Sequence, residues 1–220
     1  MAVALDAVGT VQHTALNTSV NYTNITVGAG ANRALIIMIA FGSPALAPTG
    51  ITLTWDSGGT NQAMTQIAFS AGTNITAGIW GLVAPTSGNK TLAVSWTNAN
   101  ESWVSGVCFT GVDQTGGTTS FPNAAANTGV ATLTIGSAVA DMGVAITTTG
   151  GVISGSTGTT LYIDNTSAAF INSSSEYQAG ASPSMVIGFG VNLTTLAAVD
   201  IRAFASTQFD MSARGAMVCA

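Results

Sequence analysis

The chain has 220 residues, 47% hydrophobic and only 6% charged, with a net charge of −5; an ordinary globular domain carries about 25% charged residues. The four basic residues, Arg33, Lys90, Arg202 and Arg214, are scattered, which excludes an electrostatic footprint for nucleic acid and disfavours anionic membrane surfaces. The longest apolar run, ALIIMIAF at 34–41, falls far short of the roughly 20 residues a spanning helix needs, so no membrane insertion is expected.

The start, MAVALDAVGT, lacks the basic region and apolar core of a secretory signal. Met1 is therefore expected to lead directly into the fold. Period-two alternation of apolar and polar residues recurs between turn signals, and helix signals are almost absent. Residues 3–11 and 19–27 read as two N-terminal strands. After the loop 28–32, residues 33–41 are apolar on both faces, so that strand is expected to be central and covered on both sides. Residues 43–50, with Pro44 and Pro48, form a loop. Strands follow at 51–55, with Ile51, Leu53 and Trp55 inward, then at 62–69 and 75–83. Residues 56–60 (DSGGT) and 84–89 (APTSGN) read as turns. In 91–96, Leu92, Val94 and Trp96 share a face. TNAN at 97–100 is expected to turn the chain into the stretch 101–116, ESWVSGVCFTGVDQTG.

That stretch places Trp103, Ser105, Val107 and Phe109 on one face, and Val104, Gly106, Cys108 and Thr110 on the other. The second face is small and flat, suited to packing against another layer or subunit. It launches the longest irregular segment, 112–129, and a segment of that length is often functional. Further strands are expected at 130–135, 139–147, 160–164, 169–171, 184–189, 196–204 (strand in preference to helix) and 213–219. Strands at about ten-residue spacing imply a sandwich or barrel. The expectation is an all-β chain, an antiparallel jelly-roll-like β-sandwich with little or no helix, forming a single domain over 1–220.

Motifs that would carry chemistry fail on context. GAGANR at 28–33 has Arg33 at the third glycine position and is followed by a strand, so it reads as a hairpin loop and not a dinucleotide site. TSGNKT at 86–91 lacks the glycine spacing of a phosphate loop. His13 is the only histidine; no GxSxG elbow supplies a nucleophile for a triad, and it reads as a solvent-side strand residue. Zinc finds too few ligands, and no acid sits in a calcium-loop pattern. Two carboxylates close in space would suffice for a glycosidase, which spacing alone does not exclude. Asp200 and Arg202, two apart on a strand, are expected to pair. Cys108 and Cys219 read as small buried hydrophobes, with a disulfide between them as the alternative. Trp55 and Trp96 read as core. Tyr162 and Tyr177, in polar surroundings, join Asp113, Gln114 and Phe121 of the long segment as the candidate contact surface. The N-x-S/T triplets at Asn24 and Asn74 are expected by chance in a chain this rich in Asn and Thr.

Three stretches, VGAGANRALIIMIAF (27–41), IWGLVAPTSGNKTLAVSW (79–96) and WVSGVCFTGVDQTGG (103–117), resemble a group of β-sandwich modules. These occur in bacterial surface or secreted proteins and in phage virion-associated proteins. The resemblance runs from about Asp6 to about Asp141 and rests on structural motifs. It implies the sandwich fold and a display or assembly setting, with no catalytic pattern.

Together these readings point to a non-enzymatic virion structural protein, a phage capsid decoration or fibre-type subunit. It would act by symmetric self-association and by contact with other virion proteins, without a cofactor. The alternative is a carbohydrate-binding or adhesive module, extracellular or on a cell surface.

Overall fold

In a computed structural model, described over residues 1–42, 46–165, 172–190 and 194–205, nearly all regular structure is antiparallel β. The first strands are β1 (Ala4–Val8), β2 (Gln12–Tyr22), β3 (Thr26–Val27), β4 (Ala34–Gly42) and β5 (Thr49–Trp55). Next come β6 (Gln62–Ala63), β7 (Thr65–Ala71), β8 (Ile75–Val83), β9 (Gly88–Asn89) and β10 (Leu92–Thr110). A single helical turn, α1 (Gly117–Ser120), precedes β11 (Ala125–Thr128), β12 (Thr132–Gly136) and β13 (Met142–Thr149). The later strands are β14 (Thr159–Asp164), β15 (Asn172–Ala179), β16 (Ser184–Gly188) and β17 (Thr194–Ile201).

The long strand β10 organises the first sheet. Along one edge it pairs with β1 and β2, which run end to end beside it. Along the other edge Ala93–Thr97 pairs with β5 and Glu101–Phe109 with β4, and β4 leads on to β8 and β7. TNAN therefore does not reverse the chain. Asn98 takes a positive φ of 64°, and the register with both β2 and β5 shifts around it. These are the marks of a bulge, and asparagine tolerates that conformation better than most residues. Asn98 Nδ2 donates to Ala47 O at 3.3 Å, and Asn100 Nδ2 donates to Asn98 O at 2.8 Å. These bonds give the irregular backbone local partners.

The second sheet runs β11-β17-β13-β15-β14, and β12 and β16 form a ribbon over its far side. The alternation of β4 decides how these layers stack. Ala34, Ile36, Met38 and Ala40 face a core shared with Val144 and Ile146 of β13 and Ala197, Val199 and Ile201 of β17. Leu35, Ile37, Ile39 and Phe41 face a second core closed by Leu53 and Trp55 of β5 and by Tyr22, Ile25, Val94 and Trp96. All nine residues of β4 are buried, as its unbroken apolar run requires. Each fully buried leucine or isoleucine there stabilises the fold by about 1.5–3 kcal/mol. A third core lies between the outward residues of the second sheet (Ala145, Leu196, Ala198) and Ile135, Met185, Ile187 and Phe189. The chain is thus an all-β sandwich-like fold. Among the described residues no helix is long and apolar enough to cross a membrane.

Strand β10 splits its faces as the alternation predicts. Trp103, Val107 and Phe109 enter the core between the sheets, while Val104 and Cys108 enter the core under β5. Gly106 is needed on the latter face: a Cβ there would meet Ile37, Tyr22 and Ile25 at 3.0–3.4 Å. Several elements differ from expectation. β2 begins at Gln12, well before residue 19, β9 lies within the expected turn 84–89, the expected irregular segment 112–129 contains α1 and β11, and β15 (NSSSEYQA) carries no apolar alternation at all. The expected strands at 169–171 and 213–219, and Cys219 with its pairing to Cys108, lie outside the described residues.

Candidate functional site

The segment after β10 is built by its own polar side chains. Gly111 turns the chain with φ of 72°. Val112 N then donates to Asn32 O and Asp113 N to Arg202 O, both at 2.9 Å, which tie the corner to the β3–β4 loop and to the end of β17. Asp113 Oδ1 accepts the Thr115 amide at 2.8 Å, and the Ser120 hydroxyl donates to Asp113 O at 2.7 Å. The Thr115 bonds hold the Asp113 carboxyl below the usual carboxylate range, with Ser120 and Arg202 adding to the effect. Gln114 Nε2 donates to Arg33 O and to Val112 O. Asp113 and Gln114 are thus half-buried fasteners of the corner. Phe121 is 3% exposed and belongs to the core between the sheets. Its ring lies over Gly81, where a Cβ would come within 2.8 Å of it.

Tyr162 and Tyr177 are half-buried and pack against that same core. The Tyr162 hydroxyl meets Ser173 Oγ at 2.6 Å, and burial raises its pKa. Tyr177 meets Phe109 edge to face at 6.4 Å. The expected contact surface therefore does not form as one patch. Its three aromatic rings turn inward, because each finds apolar partners between the sheets. Phe121 stands against β7 and β8, while the tyrosines stand on β14 and β15, beyond the opposite edge of the second sheet from β11. All four tryptophans are buried. Trp80 and Trp103 are core residues as fully as Trp55 and Trp96.

His13, on β2, is solvent-side as its position predicts, but it is not isolated. Its ring stacks on Trp103 at 4.5 Å with 8° between planes, and its Nε2 lies 2.7 Å from Oε1 of the buried Glu101. Trp103 Nε1 donates to Asp164 Oδ2 of β14 at 2.8 Å. The cluster joins β2, β10 and β14, so it locks the edges of the two sheets to each other. The described hydrogen bonds place no hydroxyl on the imidazole, and the arrangement supplies an oriented imidazole without a nucleophile.

The expected Asp200–Arg202 pair is not formed. β17 ends at Ile201, so the alternation that would align the two residues stops before Arg202, which points to solvent. Asp200, 1% exposed, accepts the Ser137 hydroxyl at 2.8 Å and faces Asp141. Burial, and then the Asp141 carboxylate, push Asp200 up to about 7. Burial beside a second carboxyl thus favours the neutral form of Asp200. Asp141 itself is occupied by the backbone amides of Ala203 and Ala138, so the pair staples loops together. Glu176, fully buried, accepts the amides of Gly158 at 2.6 Å and Gly188 at 2.8 Å and the Thr157 hydroxyl at 3.0 Å. Burial raises its pKa against those bonds. No group of three metal-ligating side chains occurs among the described residues.

A groove of about 320 Å³ lies between the β7–β8 hairpin (Gly72, Thr73, Asn74, Ile75) and Thr128, Gly129, Thr194 and Thr195 of the second sheet, and a smaller one of about 110 Å³ lies beside Phe121, lined by Thr65, Gln66, Ile67 and Thr118. The lining of the larger groove is uncharged, and Thr195 Oγ1 is buried there without a hydrogen-bond partner. Sequence reasoning missed this feature because it joins residues more than a hundred positions apart. The chain matches no protein family, no curated protein and no solved structure.

Proposed function

We propose that the chain is a non-enzymatic structural subunit that works by self-association, in the setting of a phage virion as a capsid decoration or fibre-type component. The observation that carries this reading is where its few charges go. Asp56 binds Lys90, Glu101 binds His13, and Arg33 donates to Gly28 O and Pro85 O. Asp6, Asp113, Asp141 and Glu176 accept backbone amides, and Asp164 and Asp200 accept side-chain donors. Among the described residues most charged groups thus brace the fold, Arg202 being the exposed exception, and most of the exterior is left to Thr, Ser, Asn and Gly. A surface without strong charge offers little repulsion between copies and suits contacts made by shape and neutral hydrogen bonds. The resemblance of residues 27–41, 79–96 and 103–117 to virion-associated and bacterial surface modules supplies the setting, with other virion proteins as further partners. The reading needs no catalytic residue and no cofactor. Electron microscopy of the purified chain tests it: regular assemblies are expected, and a field of dispersed monomers at high concentration would sink it.

A second reading, a carbohydrate-binding module at a cell surface or on a tail protein, is favoured by the neutral groove around Thr195. It predicts that a panel of glycans contains a ligand whose binding is lost in Thr195→Val. A panel without hits would remove it.

A further inference from the structure

We propose that the β2 edge of the first sheet, with β14 of the second sheet beside it, is the surface through which two copies of this chain pair. The inference rests on the self-association reading above and names its interface.

The argument begins with what the edge lacks. Among the described strands β2 pairs with β10 alone, and β14 with β15 alone. Their outer N–H and C=O groups face away from the sandwich. Strand β2 is eleven residues long, QHTALNTSVNY. It holds no Lys, Arg, Asp, Glu or Pro, and most of it is exposed. Proteins that must keep such an edge unpaired place charges or proline on it; this one carries neither. The same side exposes apolar side chains: Leu16 is 51% exposed, Val8 46%, Leu5 40% and Ile163 of β14 39%. Of the ionisable groups on this side, His13, Glu101 and Asp164 are engaged with one another or with Trp103, and Asp6 of β1 accepts the Gly28 amide. Strand β2 itself therefore sets no carboxylate against a second copy.

The geometry fits a partner of the same shape. The two edges lie on one side of the sandwich, because His13 of β2 stacks on Trp103 and Trp103 reaches Asp164 of β14. A twofold partner would continue both sheets at once, and identical strands meeting antiparallel satisfy each other reciprocally. Eleven residues at about 3.4 Å each give an edge about 37 Å long. Strand β14 adds six residues, about 20 Å, in the second layer. With each strip about 10 Å wide the two edges give about 570 Å² per copy, the size of a small, reversible interface.

The test is sedimentation velocity of the full chain against Leu16→Lys and Thr18→Lys, with Val186→Lys as control. Leu16 and Thr18 are exposed on β2, and Val186 is 50% exposed on β16 at the far side of the fold. All three variants should fold, which circular dichroism checks. The proposal expects the two β2 lysines to weaken dimerisation by at least about tenfold and the control to leave it unchanged. It further expects β2 amides to become protected from hydrogen exchange as concentration rises. If the wild type associates and the β2 lysines change nothing, the interface assignment is overturned while the self-association reading stands. If the wild type stays monomeric, both fall. If β2 amides are already protected in dilute monomer, the edge is covered within one chain and the proposal is overturned.

Discussion

Asp200→Asn is expected to stabilise the protein at neutral pH and to flatten its pH dependence. The aspartate is 1% exposed and sits beside Asp141, and its carboxyl is raised from an ordinary 3.8 to about 7 by burial and then by that neighbour, against the Ser137 hydroxyl. An acid whose pKa is higher in the folded state takes up a proton on folding. Its effect on stability is therefore absent below about pH 4, where both states are protonated. Stability is lost as pH rises from there to about 7, where the folded form finally ionises. A little over three decades at 1.36 kcal/mol each gives an upper bound of about 4 kcal/mol. Water admitted to the ionised pair would return part of that. Urea denaturation at fixed protein concentration, at several pH values between 4 and 8, reads this directly. The wild type should lose about 2–4 kcal/mol over that span, and Asp200→Asn should lose clearly less, with Glu176 supplying the remaining slope in the same direction. Asparagine keeps an acceptor for Ser137 and removes the repulsion with Asp141. Parallel curves for the two proteins would refute the raised carboxyl of Asp200.

Phe121→Ala should cost about 3–5 kcal/mol in urea denaturation, as a core aromatic does; a neutral effect would return Phe121 to the surface. Trp103→Phe reduces the buried indole to one ring and deletes the donor to Asp164, with an expected loss of about 1–3 kcal/mol from the lost bond and more from the space left behind, and a fall in thermal midpoint. Thr195→Val removes a buried hydroxyl that has no partner and should raise stability by about 1 kcal/mol; a loss would mean that the hydroxyl is satisfied in solution. Cys108 is fully buried, and burial, then the nearby Asp6, push its thiol up to about 12. In a Cys219→Ser background a thiol reagent should label nothing until the protein is unfolded; rapid labelling of the native chain would contradict this placement.

The sequence revealed most where burial is two-sided. The unbroken run of β4 demanded cover on both faces, and the two cores on either side of it provide that cover. Strand β8 could be read to its last residue because Ile75–Val83 is bounded by SAGTN and by a proline turn. Polar residues with interior partners were the opposite case. Ser173, Ser174 and Ser175 of β15 are buried, and their hydroxyls bond Thr147 O, Tyr162 O and Ser105 Oγ. No period of apolar residues marks such a strand. TNAN looked like a turn because asparagine favours positive φ in turns and bulges alike, and only the neighbouring strands decide between them. Phe121 looked like a loop residue because its partner, Gly81, lies forty positions earlier in the chain.

Sedimentation equilibrium of the wild-type chain in low and in molar salt tests the central claim most directly, because a surface with so few charges left to solvent gives salt little hold on contacts between copies. The account predicts association that is concentration-dependent and nearly the same at both salt levels, since screening has little to act upon. A monomer at every concentration, or an association abolished by salt, would contradict it.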